Sequence, residues 1–583
     1  MAGDLNFDVS KKKTIPPEQK NAATLNAATS AIPKATKEIN KPQGFRVPYP
    51  LLWLALAAII VYFPTFSFGL TDLDDSIFIR DFHAYNENLQ NLITSFQRGL
   101  FDAVKDPYYR PLFLDSMILN NLVGGNVQNL TSYHVINVLF HILSVILLYK
   151  LFRKLEVKEL HAFILCLLFT VHPVLSQAVA WIPGRNDTLL AIFTFSFLLY
   201  SINYSATGKI KNLALSALFL LLAYFTKETA VFAAPVAFVL LVFVLQKKWN
   251  TRLNLIQYAI WAGCFLLWFL VRASATIQTN ITPTQIARDF IPRLPLIIQY
   301  IGKVFIPVNL SVFPIQQDTV YYYGIISVVL LALAAYLYKR RNLRIIFSGI
   351  GVFLLFLLPV LFVPNNLNEQ SFEHRLYLPI VGILLVLPQT ILLNNKLKDK
   401  QLLACGIAVA CIFSFINFRH QESFADTLSF WTEAAETSPH SAYATMMLAA
   451  REDDHQRSYQ LFRKAYQLNP KEKYLNYYYG VMLQKQDSVL QSEKYLLAEK
   501  NTSDYYECDF YLARVALVKK DFNGAANYLQ TYLKRDPHNE IANNNLLLLY
   551  MDTQQAAKAK EQVKQMQRLG MTVPPQILQR LGL

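Results

Sequence analysis

Eleven long apolar stretches divide this chain, and they constrain its fold more than any other feature. A helix that crosses a bilayer needs about 20 apolar residues, and these stretches come close to that length. With 53% hydrophobic and only 16% charged residues, the 583-residue chain is too apolar for a soluble protein. We therefore predict an all-α, polytopic membrane domain. The predicted spans are Leu51–Leu70, Ser132–Phe152, Leu160–Gln177, Thr188–Tyr204, Ile210–Phe225, Ala230–Leu245, Asn254–Val271, Tyr323–Tyr338, Ile345–Val363, Leu376–Leu393 and Leu402–Asn417.

Lysine and arginine cluster in alternate loops between these stretches, which predicts their orientation. Positive residues are enriched on the cytoplasmic side of membrane proteins. The basic loops include Arg153–Lys158, Lys247–Arg252 and Lys396–Lys400. They share a side with residues 1–49, which we predict to be a disordered, basic cytoplasmic arm. The net charge of +15 thus reflects orientation, and we predict no nucleic-acid partner.

One apolar segment, Ile291–Phe305, does not fit the alternation. It is short, contains Arg293 and Lys303, and is bracketed by prolines. If it crossed the membrane, the basic loop at Lys339–Arg344 would lie on the wrong side. We therefore predict that this segment is interfacial or re-entrant.

After about residue 420 the apolar runs stop and short amphipathic helical patterns begin. Pro439, Pro470, Ser503 and Pro537 recur at close to 34 residues, the period of tetratricopeptide repeats. Such repeats stack into a solenoid whose concave groove binds peptides or helices. A generic helical bundle is the alternative. The sequence thus predicts a basic arm at 1–49, a membrane domain at 50–419 and an extracytoplasmic repeat domain at 420–583.

The loop after the first span, Thr71–Phe82, contains four aspartates and one arginine. Asp74 and Asp75 are adjacent, and a turn or helix start would let both face one pocket. Either carboxylate could act as a general base, and the pair could also bind Mg²⁺ or Mn²⁺. The alternative is a solvated loop that caps a helix. No Walker loop, H-E-x-x-H motif or paired cysteine motif occurs, which argues against nucleotide and zinc chemistry.

Further polar residues are predicted on the same outer face. Arg110 offers a planar cation suited to phosphate, and Arg375 could hold the phosphate of a lipid between helices. For each residue, a buried and satisfied polar group, an ion pair such as Arg185 with Asp187, or a snorkelling side chain is the structural alternative. The predicted donor- or substrate-binding residues are Arg110, His134, His141, His172, Arg185, Asp187, Lys227, Glu228, Glu373, Arg375 and Tyr377.

These strings, in this order, resemble the transmembrane and tetratricopeptide-repeat protein O-mannosyltransferases of the C-type glycosyltransferase superfamily (GT-C). The matching strings are Asp74-Asp75, Tyr109-Arg-Pro-Leu112, Tyr133-His-x-x-Asn-Val-Leu-x-His141, His172-Pro-Val with Ala178-Val-Ala and Gly184-Arg-x-Asp187, Lys227-Glu228, Glu373-x-Arg-Leu-Tyr-Leu-Pro379 and a repeat array opening near Trp431. The resemblance runs from about residue 51 to the C-terminus. One departure is Gln177, at a place where the family usually has a glutamate.

The resemblance implies a sugar donor on polyprenyl phosphate, with mannose as the sugar. It also implies inverting transfer to Ser or Thr of extracytoplasmic proteins, with Asp74 or Asp75 as the base. The short repeat array suggests a bacterial relative, in the inner membrane with periplasmic repeats. In a eukaryote, the ER membrane with luminal repeats is expected instead. A non-enzymatic membrane scaffold that recruits envelope proteins through its repeats is the main alternative, and a lipid-linked sugar flippase or polymerase is a third.

Overall fold

A computed structural model describes residues 45–101, 107–276, 282–362 and 370–583. These residues are almost entirely helical. Within them there is no β-strand, only isolated bridges between Asn126 and Asn129 and between Ile315 and Gln370. The all-α prediction is confirmed for this part of the chain. Most of the predicted basic arm at 1–49 lies outside the described residues.

The membrane part contains seventeen α-helices among the described residues. Their bounds are α1 Pro50–Tyr62, α2 His83–Glu87, α3 Asn91–Thr94, α4 Pro111–Leu122, α5 Thr131–Lys154, α6 Glu159–Val171, α7 Ser176–Ala180, α8 Arg185–Thr207, α9 Ile210–Thr226, α10 Ala233–Val239, α11 Arg252–Ala275, α12 Pro283–Arg293, α13 Leu296–Phe305, α14 Tyr322–Leu337, α15 Leu343–Phe362, α16 Ile380–Val386 and α17 Asp399–Gln421.

Six helical segments in the described ranges are long and apolar enough to cross a membrane. They are Pro50–Ser67, Thr131–Lys154, Ile182–Thr207, Arg252–Ala275, Leu343–Phe362 and Asp399–Phe424. A seventh span exists if the pair Glu159–Val171 and Pro173–Ala180, bent by 52°, counts as one. The other four predicted stretches correspond to shorter apolar helices. The chain is an integral membrane protein, and the eleven crossings stay a prediction.

The predicted interfacial segment, Ile291–Phe305, is broken into the end of α12 and the ten-residue α13. Ten helical residues span about 15 Å, which is half of a hydrocarbon core. Helix α13 packs closely on α14, because glycines at 302 and 324 let the two backbones touch. A side chain at Gly324 would overlap the carbonyl of Ile298.

Ten shorter helices follow, and each packs on the next along the chain. Several begin at a side chain that accepts a backbone N–H, as at Asp426, Ser441, Asp454 and Asn539, which is the usual helix N-cap. That they are tetratricopeptide repeats stays a prediction. The bounds are α18 Thr427–Thr437, α19 Ala442–Ala449, α20 His455–Leu468, α21 Leu475–Lys485, α22 Val489–Ser503, α23 Glu507–Val518, α24 Phe522–Leu533, α25 Glu540–Asp552, α26 Ala556–Arg568 and α27 Pro575–Leu581.

The loop Thr71–Phe82, which we call the first outer loop after its predicted side of the membrane, lies against the start of this helical array. Just before it, the backbone N of Gly69 donates to the carbonyl of Ala425 at 2.6 Å. Within it, Asp72 forms an ion pair with Arg451 at 3.4 Å. The first outer loop and the C-terminal helices therefore meet at one surface.

Candidate active site

The Asp75 side chain stabilises the conformation of the first outer loop through hydrogen bonds. Its Oδ2 accepts hydrogen bonds from the backbone N of Thr71 at 2.7 Å and from the Thr71 hydroxyl at 3.0 Å. Its Oδ1 accepts from the backbone N of Ser76 at 3.0 Å. The side chain is only 1% exposed. A carboxylate with its oxygens occupied in this way is poorly placed to accept a proton from a substrate.

Asp74, by contrast, is half-buried and has no hydrogen-bond or ion-pair partner among the described residues. Burial raises the pKa of Asp74 to about 6, the neighbouring Asp75 raises it too, and the positive charge of Arg110 opposes them. Arg110 is therefore close enough to act on this carboxylate. Of the two aspartates, Asp74 has the free oxygens that a general base needs.

Three cations, Arg110, Lys227 and Arg375, lie together with the acidic Asp187 and Glu228; we call this group the cationic cluster. Burial lowers the pKa of Lys227, Asp187 raises it, and the charges of Arg110 and Arg375 lower it further. These electrostatic effects indicate that the three cations are neighbours. With three positive and two negative side chains, the cluster has an excess positive charge.

Two of the cations are held by the carboxylates of the cluster. The Arg110 Nε donates to Glu228 Oε2 at 3.1 Å, while Glu228 Oε1 accepts from the backbone N of Tyr109 at 3.0 Å. The Lys227 Nζ donates to both Asp187 oxygens, at 2.7 and 2.9 Å. Lys227 and Glu228 are adjacent in the chain, yet each is paired with a residue from another element.

Arg375 completes the cluster and has no carboxylate partner among the described residues. Its Nη1 donates to the backbone carbonyl of Gln370 at 2.7 Å, and its guanidinium lies over the Phe372 ring at 5.5 Å. The Tyr300 hydroxyl is also a hydrogen-bond partner of Arg375, and the other donors of the guanidinium remain available. An arginine that keeps free donors beside other cations is suited to bind a phosphate.

The predicted pair of Arg185 with Asp187 does not form. Arg185 is fully buried, and its guanidinium donates to the Asn137 side chain at 2.8 Å and to the carbonyls of Tyr133 and Ser116. Asp187 pairs with Lys227 instead. Arg185 therefore joins α8 to α5 and α4, which is a structural use of its charge.

The three predicted histidines are also buried within the protein. One nitrogen of His141 lies 2.7 Å from the Tyr377 hydroxyl and the other 3.0 Å from the Thr170 carbonyl. The His172 Nε2 contacts the Val304 carbonyl at 2.9 Å. His134 packs edge-to-face with Phe68 at 6.2 Å. The structure places these side chains and Tyr377 in the scaffold around the site rather than in the cationic cluster.

Glu373 is the centre of a second buried network. Its Oε1 accepts from Lys303 Nζ at 2.6 Å and from the backbone N of Ser311 at 2.8 Å, and His420 lies 3.6 Å from Oε2. Burial acts to raise the pKa of Glu373, but Lys303 and His420 outweigh it and hold that pKa below its usual value. Glu373 therefore fixes the turn that presents Arg375.

Sequence reasoning missed several residues of this site. The sequence pattern identifies Lys303 only as a polar residue in a short apolar segment, and His374 is the unassigned position between Glu373 and Arg375. His374 contacts Gln177 and lies near all three cations of the cluster. The position of His374 between the charged residues Glu373 and Arg375 is the sequence signal that could have identified it. Within the described ranges, no group of three or more His, Cys, Asp or Glu side chains could hold a metal ion together.

Comparisons with known proteins bear on the middle of this site. The family model described as dolichyl-phosphate-mannose-protein mannosyltransferase matches residues 118–273. Protein O-mannosyl-transferase TMTC1 of Mus musculus is 36% identical over 132 residues, which is 22% of this chain and 14% of that protein. TMTC2 of Homo sapiens is 38% identical over 100 residues, which is 17% of this chain and 12% of that protein.

Residues 118–273 of this chain are therefore similar to protein O-mannosyltransferases, and the matches span less than a fifth of the length of these two relatives. The family match contains Asp187, Lys227 and Glu228, but it includes neither Asp74 nor Arg375. A solved Archaeoglobus fulgidus oligosaccharyltransferase, captured with a tethered acceptor peptide, is a structural neighbour that covers 72% of this chain and 58% of its own. Its identity to this chain is 13% and the TM-score is 0.40.

Proposed function

We propose that this protein is a membrane glycosyltransferase that moves a sugar from a polyprenyl-phosphate donor to a Ser or Thr hydroxyl of an acceptor protein. The family description names dolichyl-phosphate-mannose as donor and protein as acceptor, which favours mannose. The proposal depends on one observation. A carboxylate without a protein partner, Asp74, lies within electrostatic reach of Arg110 in a cluster with excess positive charge.

The reaction that fits this geometry is a single displacement at the anomeric carbon. The acceptor hydroxyl oxygen attacks that carbon, and its proton moves to the Asp74 carboxylate. The carbon–oxygen bond to phosphate breaks, and the phosphate leaves with the bonding electrons. The leaving group gains negative charge, which Arg110, Lys227 and Arg375 stabilise. One displacement inverts the anomeric configuration.

The donor phosphate is expected to bind at Arg375, because that cation has no carboxylate partner to displace. Charge-assisted hydrogen bonds of this kind are about twice as strong as neutral ones. Arg110 and Lys227 keep their carboxylate partners and supply positive potential around the phosphate. The donor's lipid tail would then lie among the spans next to Arg375.

The acceptor is expected to approach Asp74 from the C-terminal helices, which we propose bind the acceptor protein. Tyr443, on α19, is affected by the charge of Asp74, so the start of the array borders the site. The Tyr443 ring is stacked on Phe313 at 5.6 Å and packs against Trp431 at 5.7 Å. This rigid aromatic group is a suitable surface for an extended peptide.

Reconstitution with a labelled polyprenyl-phosphate mannose and an acceptor peptide tests the proposal. We expect Asp74→Asn to lower the transfer rate on the order of 10²- to 10⁴-fold without loss of peptide binding. Asp81→Asn is the matched control, because Asp81 is an exposed acid of the same loop that pairs with Arg80. It should change the rate less than about twofold.

The Asp75→Asn variant distinguishes a structural role of Asp75 from a catalytic one. It removes an acceptor used by Thr71, so we expect a loss of stability on the order of 1–3 kcal/mol, with transfer retained by the folded fraction. Parental transfer by Asp74→Asn would overturn the role of Asp74. An absence of transfer in the parent protein, with peptide binding intact, would favour the scaffold instead.

A further inference from the structure

Gln177 and His374 form a buried pair whose hydrogen-bond directions are fixed by backbone groups. The Gln177 Nε2 donates to the carbonyl of Val312 at 3.2 Å, and a carbonyl can only accept. The Gln177 Oε1 faces the backbone N–H of His374 at 3.4 Å, and a backbone N–H can only donate. The orientation of the Gln177 amide is therefore set by its surroundings.

This orientation decides which nitrogen of the His374 ring carries the proton. The His374 Nδ1 lies 3.0 Å from Gln177 Oε1, which is an acceptor, so Nδ1 must be the protonated nitrogen. Burial lowers the pKa of His374 well below its usual value, and the charges of Lys227, Arg375 and Arg110 lower it further. The ring is therefore neutral, with its lone pair on Nε2.

The His374 Nε2 is a hydrogen-bond acceptor that the protein leaves unused. The residue is 8% exposed, with the Phe372 ring stacked on it at 5.2 Å and the Trp181 ring tilted against it at 5.8 Å. No described residue donates a hydrogen bond to Nε2. This nitrogen is not enclosed by the protein on every side, so a ligand group can reach it and donate to it.

The proposed donor contains only one kind of group that can satisfy this atom. A phosphodiester has oxygen lone pairs and no O–H, so its oxygens would be repelled by the Nε2 lone pair. A sugar hydroxyl can donate. Resting on the proposed function, we infer that His374 accepts a hydrogen bond from a hydroxyl of the transferred sugar. Gln177 fixes the tautomer, so the two residues act as a pair that recognises the sugar.

Two substitutions at His374 separate the acceptor atom from the rest of the ring. In His374→Asn, the side-chain NH₂ can still donate to Gln177, but no atom occupies the position of Nε2. In His374→Gln, the side-chain carbonyl oxygen reaches that position. The measurement is kcat/KM for the polyprenyl-phosphate sugar and for its monodeoxy analogues, each lacking one hydroxyl, with the same acceptor peptide.

We expect the parent protein to disfavour one monodeoxy analogue on the order of 10-fold or more, because that analogue leaves Nε2 unpaired. His374→Asn should abolish this preference for that analogue alone, and His374→Gln should retain part of it. An equal loss for every donor would overturn the inference and leave transfer itself intact. No transfer by the parent protein from any donor would overturn the proposed function and this inference with it.

Gln177→Glu provides a readout that does not depend on activity. A carboxylate at this position would draw a second proton onto His374 and remove the lone pair. In nanodiscs of ¹⁵N-histidine-labelled protein, with His374→Asn used for assignment, the parent ring should give the signal of a neutral Nδ1–H tautomer at neutral pH. Gln177→Glu should shift it to that of an imidazolium. A neutral Nε2–H tautomer in the parent would overturn the inference.

Discussion

Adjacent carboxylates in the first outer loop have different uses because backbone donors reach only one of them. Asp75 accepts three hydrogen bonds from Thr71 and Ser76, and these maintain the loop. Asp74 receives none and lies near Arg110. A carboxylate with raised pKa beside a cation is typical of catalytic sites rather than of solvated loops.

The pKa of Asp74 predicts how transfer depends on pH. Burial and Asp75 raise this pKa to about 6. A base must be ionised, so kcat/KM should be half-maximal near pH 6, level off about one unit above it and fall towards tenfold per unit below it. The Arg110 charge lowers the Asp74 pKa, so Arg110→Gln should move the acid limb of the profile to higher pH. A limb that stays in place in this variant would contradict the proximity of the two groups.

Asp75→Asn is the control for this profile. Burial raises the pKa of Asp75 to about 6 as well, against the hydrogen bonds from Thr71. If Asp74 is the base, the acid limb should persist in Asp75→Asn measured on the folded fraction and move to lower pH, because the Asp75 charge raises the Asp74 pKa. Its disappearance in that variant alone would identify Asp75 as the titrating group.

At the scale of helices, apolar length and periodicity predicted where the elements lie but not how their charges pair. The stretches predicted from Ser132 and Asn254 correspond to α5 and α11. The partners of charged residues could not be predicted, since Arg110 and Glu228 are 118 positions apart. Even the adjacent Lys227 and Glu228 pair with separate elements. Such contacts depend on tertiary packing, which local patterns do not encode.

The contact between α13 and α14 depends on the absence of a side chain at Gly324. We expect Gly324→Ala to destabilise the protein by on the order of 2 kcal/mol or more, since the new methyl group would overlap the Ile298 carbonyl. Gly263→Ala on α11 is the matched control, because nothing lies within 4 Å of its added carbon. Alanine stabilises a helix relative to glycine by about 1 kcal/mol, so this control should not destabilise the protein.

Thermal unfolding in detergent measures the stability of both variants. Equal melting temperatures for the two variants would contradict the close packing.

At the scale of the whole molecule, the Glu373 network joins the membrane part to the C-terminal helices. Lys303 is on α13, and His420, at the end of α17, lies between Glu373 and Glu433 of α18. The other Glu433 oxygen accepts from the backbone N of Val312 at 3.1 Å. The turn carrying Arg375 is thereby tied to the first helix of the array.

A double-mutant cycle tests how strongly this network holds the two parts together. Breaking a buried ion pair on one side costs about 3–5 kcal/mol, whereas replacing both partners with apolar residues costs much less. We therefore expect Glu373→Leu and Lys303→Met each to lower the free energy of unfolding strongly, and the double variant to lose less than their sum. Additive losses would show that the two side chains do not interact. Arg80→Gln, at an exposed pair, should cost less than about 1 kcal/mol.

The proposed chemistry requires the first outer loop and the C-terminal helices to share one compartment, opposite the basic loops. Single cysteines at Asp81, Asp487 and Lys398 would report the three regions, because all three positions are exposed. The exposed native Cys405 and Cys411 would first be replaced by serine.

With a membrane-impermeant maleimide on sealed vesicles, we expect the cysteines at 81 and 487 to be labelled from the same side of the membrane. The cysteine at 398 should label only from the other side, as the distribution of positive charge predicts. Labelling at 487 together with 398, and apart from 81, would place the base and the acceptor-binding helices in separate compartments, and transfer could not then occur as proposed.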